Sequence, residues 1–305
     1  MKTIQLESYY YQTPFGQLII NCAQENRAIT DPVLGEANYK KTISNTKYNI
    51  TFGADSSPKS SYRNSQFAKG LHLGHHIGLP GQVSMSTDML NIVLKNGCLN
   101  DYTKIFWNYA LKLYLSTMSF QHSALHLKAT TLSDKNGNAL LVIGKGGSGK
   151  STLAEKLNLF GYKTLSNTHT IYKDGYVWGM NTWIRKRSEN SQHYIPPSPL
   201  KTERFAKLKS IIIFEKNESP EYHEEPLNIE HAINFIIQFG LATCNYDLKE
   251  DLSELFESSL EYLSHSQREY FLLTKMLNSV PIKYLTGDIH NNSTLDKILY
   301  NIESN

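Results

Sequence analysis

The sequence predicts an α/β domain over residues 119–290, preceded by a smaller α+β region over residues 1–118. Two observations support this prediction. An apolar run, Ala139 to Ile143, leads through a glycine-rich loop into a helix-forming segment. From residue 119 onward, short apolar runs also alternate with turn residues and longer amphipathic segments, which is typical of a sheet covered by helices. Residues 291–305 are expected to form a polar tail.

The glycine-rich loop has the pattern of a phosphate-binding P-loop, Gly-Lys-Gly-Gly-Ser-Gly-Lys-Ser over residues 144–151. Glycine lets the backbone turn its N–H groups toward a phosphate, and the helix that follows adds partial positive charge at its start. Lys150 adds a full charge, and Ser151 can offer its hydroxyl to Mg²⁺. The sequence therefore predicts a site for ATP and Mg²⁺. Its expected binding residues are Gly144, Gly146, Gly147, Ser148, Gly149, Lys150, Ser151 and Thr152.

The composition and charge argue against a nucleic-acid partner, a membrane span and secretion. The net charge of +3 is too small to argue for a nucleic-acid partner. No apolar stretch reaches the ~20 residues of a membrane span, and the N-terminus has no uninterrupted apolar region of a secretory signal. The three cysteines, Cys22, Cys98 and Cys244, are widely spaced and odd in number, as expected of free thiols in a reducing compartment. We therefore expect a cytoplasmic protein without a membrane partner.

The N-terminal region contains short β-like segments and one helix. Gly16–Cys22 and Tyr48–Phe52 are expected to be strands, and residues 55–66 a polar loop. Residues 83–93 are apolar at irregular spacing, which leaves their class open. Apolar side chains at helical spacing predict a buried helix over about residues 101–118.

Beyond residue 119, turn residues divide the chain into short elements. The pairs Asn136-Gly137 and Asp174-Gly175 predict two hairpin turns, and three prolines predict a loop over residues 188–202. The expected strands are 122–128, 139–143, 162–165, 208–214 and 280–285, and the expected helices are the one after the glycine loop, 228–239, 251–263 and 267–277.

Four segments in this order resemble those of a known group of kinases. They are His122-Ser-Ala124 before the loop, the loop itself, Gly161-Tyr-Lys-Thr-Leu165, and Val280-Pro-Ile-Lys-Tyr-Leu285. Residues 122–286 thereby resemble the HPr kinase/phosphorylase-like P-loop kinases, which are relatives of the PEP-carboxykinase-type nucleotide fold. The resemblance implies an ATP-dependent kinase that transfers the γ-phosphate to a hydroxyl of a protein, a peptide or a small molecule. Residues 1–118 would then recognise the acceptor or mediate formation of a homo-oligomer.

The chain departs from this family at its catalytic motif. After the strand that ends at Leu165, the family places two aspartates, one of which acts as general base and helps to hold magnesium. This chain has Ser166-Asn167-Thr168-His169. The amide of Asn167 cannot take a proton from a hydroxyl, and it can hold Mg²⁺ only through its carbonyl oxygen.

Two histidines are candidates for the missing base. His169 lies two positions after Asn167, so the two side chains would share a face if the strand continues. An imidazole titrates near neutral pH, which suits a general base. The resemblance implies that the imidazole of His122 points toward the γ-phosphate. For each histidine, a place in the core without a catalytic role is the alternative.

Charged residues further along the chain are the remaining candidates. Glu215 ends an apolar run, where an acid could orient magnesium through water. An ordinary Glu-Lys pair at a strand end is the alternative. Arg185 and Arg187 follow the second hairpin, where the family tends to carry basic residues that face phosphate or an acidic substrate. A solvated basic turn would explain them equally well.

Three functions remain open from the sequence. The first is the kinase that the resemblance implies. The second is a nucleotide-binding sensor or scaffold that does not transfer phosphate, for which the absence of aspartates at Asn167 and Thr168 is the argument. The third is a P-loop NTPase outside this family.

Overall fold

A computed structural model describes most of the chain in two compact units. The first comprises residues 1–122, 182–199 and 246–267, and the second comprises residues 123–181, 200–245 and 268–305. The described residues are 6–35, 48–52, 63–66, 81–86, 89–94, 102–103, 106–180, 184–188, 191–195, 204–216, 222–245, 259–289 and 291–303. Both units mix helices with sheets, which confirms the predicted α/β class at this level. The division differs from the predicted one because two later segments join the first unit.

The first unit contains a six-stranded mixed sheet in the order β1-β2-β3-β6-β5-β4. Its strands are β1 (Glu7–Thr13), β2 (Gly16–Cys22), β3 (Tyr48–Phe52), β4 (Arg63–Gln66), β5 (Gly81–Ser86) and β6 (Met89–Leu94). Strands β2, β3 and β6 run parallel, and the other pairs are antiparallel. The sequence predicted β2 and β3 with these bounds. Residues 83–93, whose class it left open, contribute to the hairpin of β5 and β6.

Two helices, a further hairpin and the start of a later helix also belong to this unit. Helix α1 is Arg27–Leu34, and a π-helical turn, Phe106–Ala110, runs into helix α2, Leu111–Gln121. Helix α2 is almost wholly buried, and its Tyr114 hydroxyl lies 2.9 Å from Thr13 Oγ1 of β1. Strands β13 (Ile184–Ser188) and β14 (Ser191–Ile195) form an antiparallel hairpin. This corrects the predicted loop over 188–202, since the prolines that suggested it all follow β14.

The second unit is built on a nine-stranded sheet covered by helices. Its strands are β7 (Leu125–Lys128), β8 (Thr130–Ser133), β9 (Asn138–Ile143), β10 (Lys163–Ser166), β11 (His169–Lys173), β12 (Tyr176–Met180), β15 (Phe205–Lys216), β16 (His223–Pro226) and β17 (Ile282–Gly287). Its helices are α3 (Lys150–Asn158), α4 (Ile229–Phe239), α5 (Ala242–Asn245), the later part of α6 (Ser259–Ser279) and α7 (Asn292–Glu303).

Both faces of the central strands are buried, which explains their uninterrupted apolar sequences. In β9, Leu141 and Ile143 join one core with α4 and α6, and Leu140 and Val142 join a second core with α3 and α7. Strands buried on both faces in this way do not alternate between apolar and polar residues. Helix α7 corrects the predicted polar tail, because its Leu295, Ile298 and Leu299 are buried in the second core.

The sheet curls because two of its chain segments bend. Strands β7 and β8 are separated only by Ala129, and β10 and β11 only by Asn167 and Thr168. β7 pairs with β11, and β8 pairs with β10. In the strand order β10-β8-β9-β15-β12-β11-β7, these two pairs lie at opposite ends of the sheet. The sheet must therefore curl to bring the two pairs together at the bends. Gly179 permits the curl, since a Cβ at this position would lie 2.3 Å from the carbonyl oxygen of Leu165.

The later helices and the first strand of this unit differ somewhat from the predictions. The strand expected from residue 122 begins at Leu125, because His122 caps the end of α2. The helices expected over 251–263 and 267–277 correspond to the single helix α6 from residue 259 onward, and residues 246–258 lie outside the described part. The helix expected over 228–239 is α4, whose N-cap Asn228 accepts a hydrogen bond from the His231 N–H at 2.8 Å.

Candidate functional site

Three parallel strands of the second unit end at the same edge of its sheet. β15 lies between β9 and β17, and the pairing is parallel on both sides. Ile143, the last residue of β9, pairs with Ile213, and Glu215 pairs with Thr286. The residues that follow these strands therefore meet at one edge, which is where parallel sheets bind ligands. They are the glycine loop (residues 144–149) after β9 and Asp288 after β17, and Glu215 lies beside them, next to the last residue of β15.

The glycine loop needs its glycines for steric reasons. Gly147 and Gly149 have φ angles of +81° and +87°, a region that side chains disfavour. Gly144 passes so close to β15 that a Cβ would lie 2.3 Å from the carbonyl oxygen of Phe214. Ser148 donates its N–H to the Lys145 carbonyl at 3.2 Å, which closes a turn within the loop.

Helix α3 begins directly at the end of this loop. Its N-cap is Gly149, and no side chain caps the helix within the described part of the chain. The first backbone hydrogen bond of the helix runs from Leu153 N–H to the Gly149 carbonyl at 2.8 Å. The earlier N–H groups have no acceptor within the helix, so they are available to an anion. The Ser151 side chain is exposed at this end, and Thr152 is half-buried.

The ammonium of Lys150 lies over the loop. It donates to the carbonyl oxygens of Gly144 and Lys145, both at 2.7 Å, and to Ser148 Oγ at 3.3 Å. Burial of the ammonium, together with a smaller effect of the charge on Lys128, lowers the pKa of Lys150 to about 8. Both effects disfavour the charged form, and a bound anion would oppose both.

Glu215 holds a second lysine of the loop. Lys145 Nζ lies 2.6 Å from Glu215 Oε1, and the Tyr284 hydroxyl donates to Glu215 Oε2 at 2.5 Å. The hydrogen bond from Lys145, followed by that from Tyr284, holds the pKa of Glu215 below its ordinary value. Lys145 Nζ also lies 5.3 Å from the ring centroid of Phe239, the last residue of α4. Glu215 is thus ionised and engaged through both oxygens.

Lys128 approaches the same edge from the end of β7. Its N–H donates to the Gly240 carbonyl at 2.7 Å. Gly240 in turn packs against Ile143, because a Cβ on Gly240 would lie 2.8 Å from Ile143 Cγ2. The end of α4 thereby ties the Lys128 backbone to the strand that carries the glycine loop. The half-buried Lys128 side chain lies near enough to Lys150 for its charge to act on the pKa.

The bend at Asn167 and Thr168 lies beside Lys128. Thr168 accepts the Ala129 N–H at 3.0 Å, and Asn167 accepts a hydrogen bond from the Thr130 hydroxyl through its carbonyl oxygen at 3.3 Å. His169 pairs directly with Lys128 across the two antiparallel strands, so their side chains share one face of the sheet. Asn167 and Thr168 therefore lie next to the end of β7 that carries Lys128.

His169 belongs to a buried histidine pair. Its Nδ1 lies 2.9 Å from His126 Nε2, and both side chains are fully buried. A hydrogen bond between two ring nitrogens requires a donor on one ring and an acceptor on the other. The pair lies on the same face of the sheet as Lys128. The catalytic role of His169 stays a hypothesis.

The remaining candidates from the sequence lie in the first unit. His122 follows α2 and stacks on Phe15, with ring centroids 5.4 Å apart. Arg185 and Arg187 lie on β13. The structure thus assembles the glycine loop, Glu215, Asn167 and His169 in one unit and assigns the other three residues to the other unit.

No protein-family model matches the sequence, and a search of curated proteins finds no relative. Helices in the described ranges are too short or too polar to cross a membrane. Within the same ranges, no group of three or more His, Cys, Asp or Glu side chains is arranged to hold a metal ion. The resemblance to HPr kinase-like proteins therefore stays a prediction from the sequence.

Sequence reasoning missed three residues at this edge: Lys128, Tyr284 and Asp288. A lysine at the end of a strand is ordinarily solvated, and only the pairing around the bends reveals where Lys128 lies. Tyr284 and Asp288 belong to the strand end Tyr-Leu-Thr-Gly-Asp, whose parallel pairing with β15 could not be read from the sequence. Asp288 is half-buried and precedes Ile289, which packs against Gly149.

A cavity of about 370 Å³ lies elsewhere in the second unit. It is lined by Asn138 and Leu140 of β9, by Phe160 and Tyr162 beyond α3, and by Lys209. Asn138 begins β9 whereas the glycine loop follows its end, and at about 3.3 Å per residue the strand separates them by roughly 17 Å. The cavity is therefore distinct from the edge that carries the loop.

Proposed function

We propose that the chain is an ATP-dependent phosphotransferase whose P-loop, residues 144–152, binds the phosphates of the nucleotide. The observation that carries this proposal is the convergence of three ammonium groups on that loop. Lys150 donates hydrogen bonds to the loop, Lys145 belongs to it, and the charge of Lys128, at the end of β7, acts on the pKa of Lys150. Glu215 offsets one of these charges. A site with several ammonium groups, and with helix N–H groups that have no acceptor within the helix, suits a polyphosphate.

The donor groups also suit Mg²⁺ held together with the phosphates. The exposed Ser151 hydroxyl stands in the first turn of α3, and the half-buried Asp288 carboxylate lies at the same edge. Oxygen ligands of this kind are what Mg²⁺ prefers. Glu215 fits this role less well, because Lys145 and Tyr284 engage both of its oxygens. When bound, Mg²⁺ neutralises charge on the phosphates during transfer.

The mechanism would rest on positioning and on charge stabilisation by this chain's residues. The N–H groups at the start of α3 and the ammonium of Lys150 orient the phosphates. Glu215 positions Lys145 through the 2.6 Å ion pair. In phosphoryl transfer, such positioning and charge stabilisation supply most of the catalysis. The resemblance suggests a hydroxyl of a protein, a peptide or a small molecule as the acceptor.

One observation favours a second candidate, a nucleotide-binding module that does not transfer phosphate. The bend beside Lys128 carries an amide and a hydroxyl, Asn167 and Thr168, where the resembling kinases have carboxylates. Neither side chain can act as a general base at neutral pH. If this candidate holds, the protein binds ATP without turnover, and Asn167→Asp creates or increases transfer.

The test combines ATP binding with transfer from γ-labelled ATP. Wild type, Lys150→Ala and Lys156→Ala are compared with Mg²⁺ present and with protein, peptide and small-molecule acceptors. Lys156 lies in the last turn of the same helix and serves as the matched control. We expect wild type and Lys156→Ala to bind ATP and label an acceptor, and Lys150→Ala to do neither. Release of phosphate without any acceptor would indicate an NTPase. Failure of the wild type to bind ATP refutes the proposal.

A further inference from the structure

Lys128 lies outside the P-loop motif in the sequence, but the fold brings its backbone close to the start of the glycine loop. Its backbone is fixed to Gly240, and Gly240 packs on Ile143, the residue that precedes the glycine loop. Phe239, next to Gly240, lies under Lys145 of the loop. One turn at the end of α4 therefore holds the end of β7 and the start of the loop together.

The direction of the Lys128 side chain follows from the strand pairing. Leu125 and Leu127 of β7 point into the core with α4 and α6. Successive side chains in a strand alternate, so His126 and Lys128 point to the opposite face. The buried pair of His126 and His169 confirms this, since Lys128 pairs with His169. Lys128 is the last residue of β7 and is half-buried, whereas both histidines on this face are fully buried.

Lys150 and Lys128 approach the loop from two different elements. In a P-loop, the backbone N–H groups surround the inner phosphates and the loop lysine reaches toward the terminal ones. Lys128 comes from another element, and its charge acts on Lys150, so the terminal phosphate that Lys150 reaches is the group that Lys128 is expected to contact. In ATP this group is the γ-phosphate, which ADP lacks.

We propose that Lys128 binds the terminal phosphate of the nucleotide and so makes the site prefer a nucleoside triphosphate over a diphosphate. This inference rests on the proposed function, because it assigns a further binding residue to the same site. The Lys128 ammonium would pair with oxygens of the terminal phosphate across from Lys150. The histidine pair beneath Lys128 then acts as a positioning element for this contact.

Calorimetric titration with MgATP and with MgADP at fixed ionic strength tests the inference. We expect Lys128→Met to weaken ATP binding about tenfold, the usual size of one charged hydrogen bond, and to change ADP binding less than about twofold. Lys128→Arg should restore the preference for ATP, since it keeps the charge. Lys150→Met should weaken the binding of both nucleotides. The control is Lys173→Met, which removes an exposed lysine at the far end of β11 and should change neither.

The outcomes separate this inference from the function on which it rests. If Lys128→Met weakens ATP and ADP equally, or changes neither, Lys128 does not read the terminal phosphate, while the nucleotide site stands. If Lys128→Arg fails to restore the preference although it unfolds at the wild-type temperature, the inference is likewise overturned. If wild-type protein binds neither nucleotide, the proposed function itself is refuted.

Discussion

The buried Glu269 of α6 predicts how the free energy of unfolding depends on pH, independently of any ligand. Its side chain is 5% exposed. Thr243 donates its hydroxyl to Glu269 Oε2 at 3.0 Å, whereas Oε1 has no hydrogen-bond partner among the described residues. Burial raises the pKa of Glu269 from 4.5 to about 8, and the Thr243 hydrogen bond opposes this only in part. The carboxyl group is therefore protonated in the folded protein at neutral pH.

The sign and size of the effect follow from linkage. Between pH 4.5 and about 8 the unfolded chain carries Glu269 ionised and the folded chain carries it protonated, so unfolding releases a proton. The free energy of unfolding therefore falls as pH rises through this window. At about 1.4 kcal/mol per pH unit, the loss is about 3 kcal/mol at pH 7 and about 5 kcal/mol above pH 8. This is a large part of the usual stability of a domain.

The substitution Glu269→Gln removes the titration and keeps an acceptor for Thr243. We expect the variant to match wild type within about 1 kcal/mol at pH 5 and to exceed its stability by several kcal/mol at pH 9. Urea unfolding followed by circular dichroism from pH 5 to 9 measures the difference. Glu155→Gln, at an exposed position of α3, should follow wild type. If wild type and Glu269→Gln run parallel across this range, the burial of an uncharged Glu269 is refuted.

Three further predictions concern the glycine loop and its surroundings. Gly144→Ala should abolish the thermal stabilisation by ATP, since its Cβ would meet the backbone of β15 at 2.3 Å, whereas Gly146→Ala, with nothing within 4 Å, should keep it. Tyr284→Phe should raise the pKa of Glu215 toward its ordinary value, measured by carboxyl NMR titration; an unchanged pKa would contradict the hydrogen bond. Because the pKa of Lys150 is about 8 without ligand, ATP affinity should fall by up to about tenfold per pH unit above 8. Lys150→Arg should lack this fall, and equal pH profiles would oppose the assignment.

Local turn chemistry and buried runs were predictable from the sequence. Asp174 and Gly175 both adopt positive φ, as the hairpin prediction required, and the glycine loop separates β9 from α3 as expected. Such features depend on residues close together in the chain. The apolar run of β15 was equally clear, because burial on both faces leaves no polar position in its centre.

Features that depend on distant contacts could not be predicted. The bends at Ala129 and at Asn167 leave no periodic signal, since each merely redirects a strand. The strands on either side of each bend are held by contacts between residues distant in sequence, such as that of Gly179 with Leu165. Helix α7 was missed because its polar residues outnumber the three apolar ones that it buries. The position of Lys128 beside the loop depends on these distant contacts, so no local sequence pattern indicated it.

The hydrogen bonds that Lys150 makes to Gly144 and Lys145 bear on how fast the glycine loop can bind an anion. The ammonium donates to two carbonyl oxygens of the loop, and these hydrogen bonds hold the loop in its turned conformation. A binding anion would replace these carbonyl oxygens as the acceptor for Lys150, and the loop would not have to become ordered first. Entry should therefore carry a small entropic penalty, and the speed of capture should depend on diffusion more than on rearrangement.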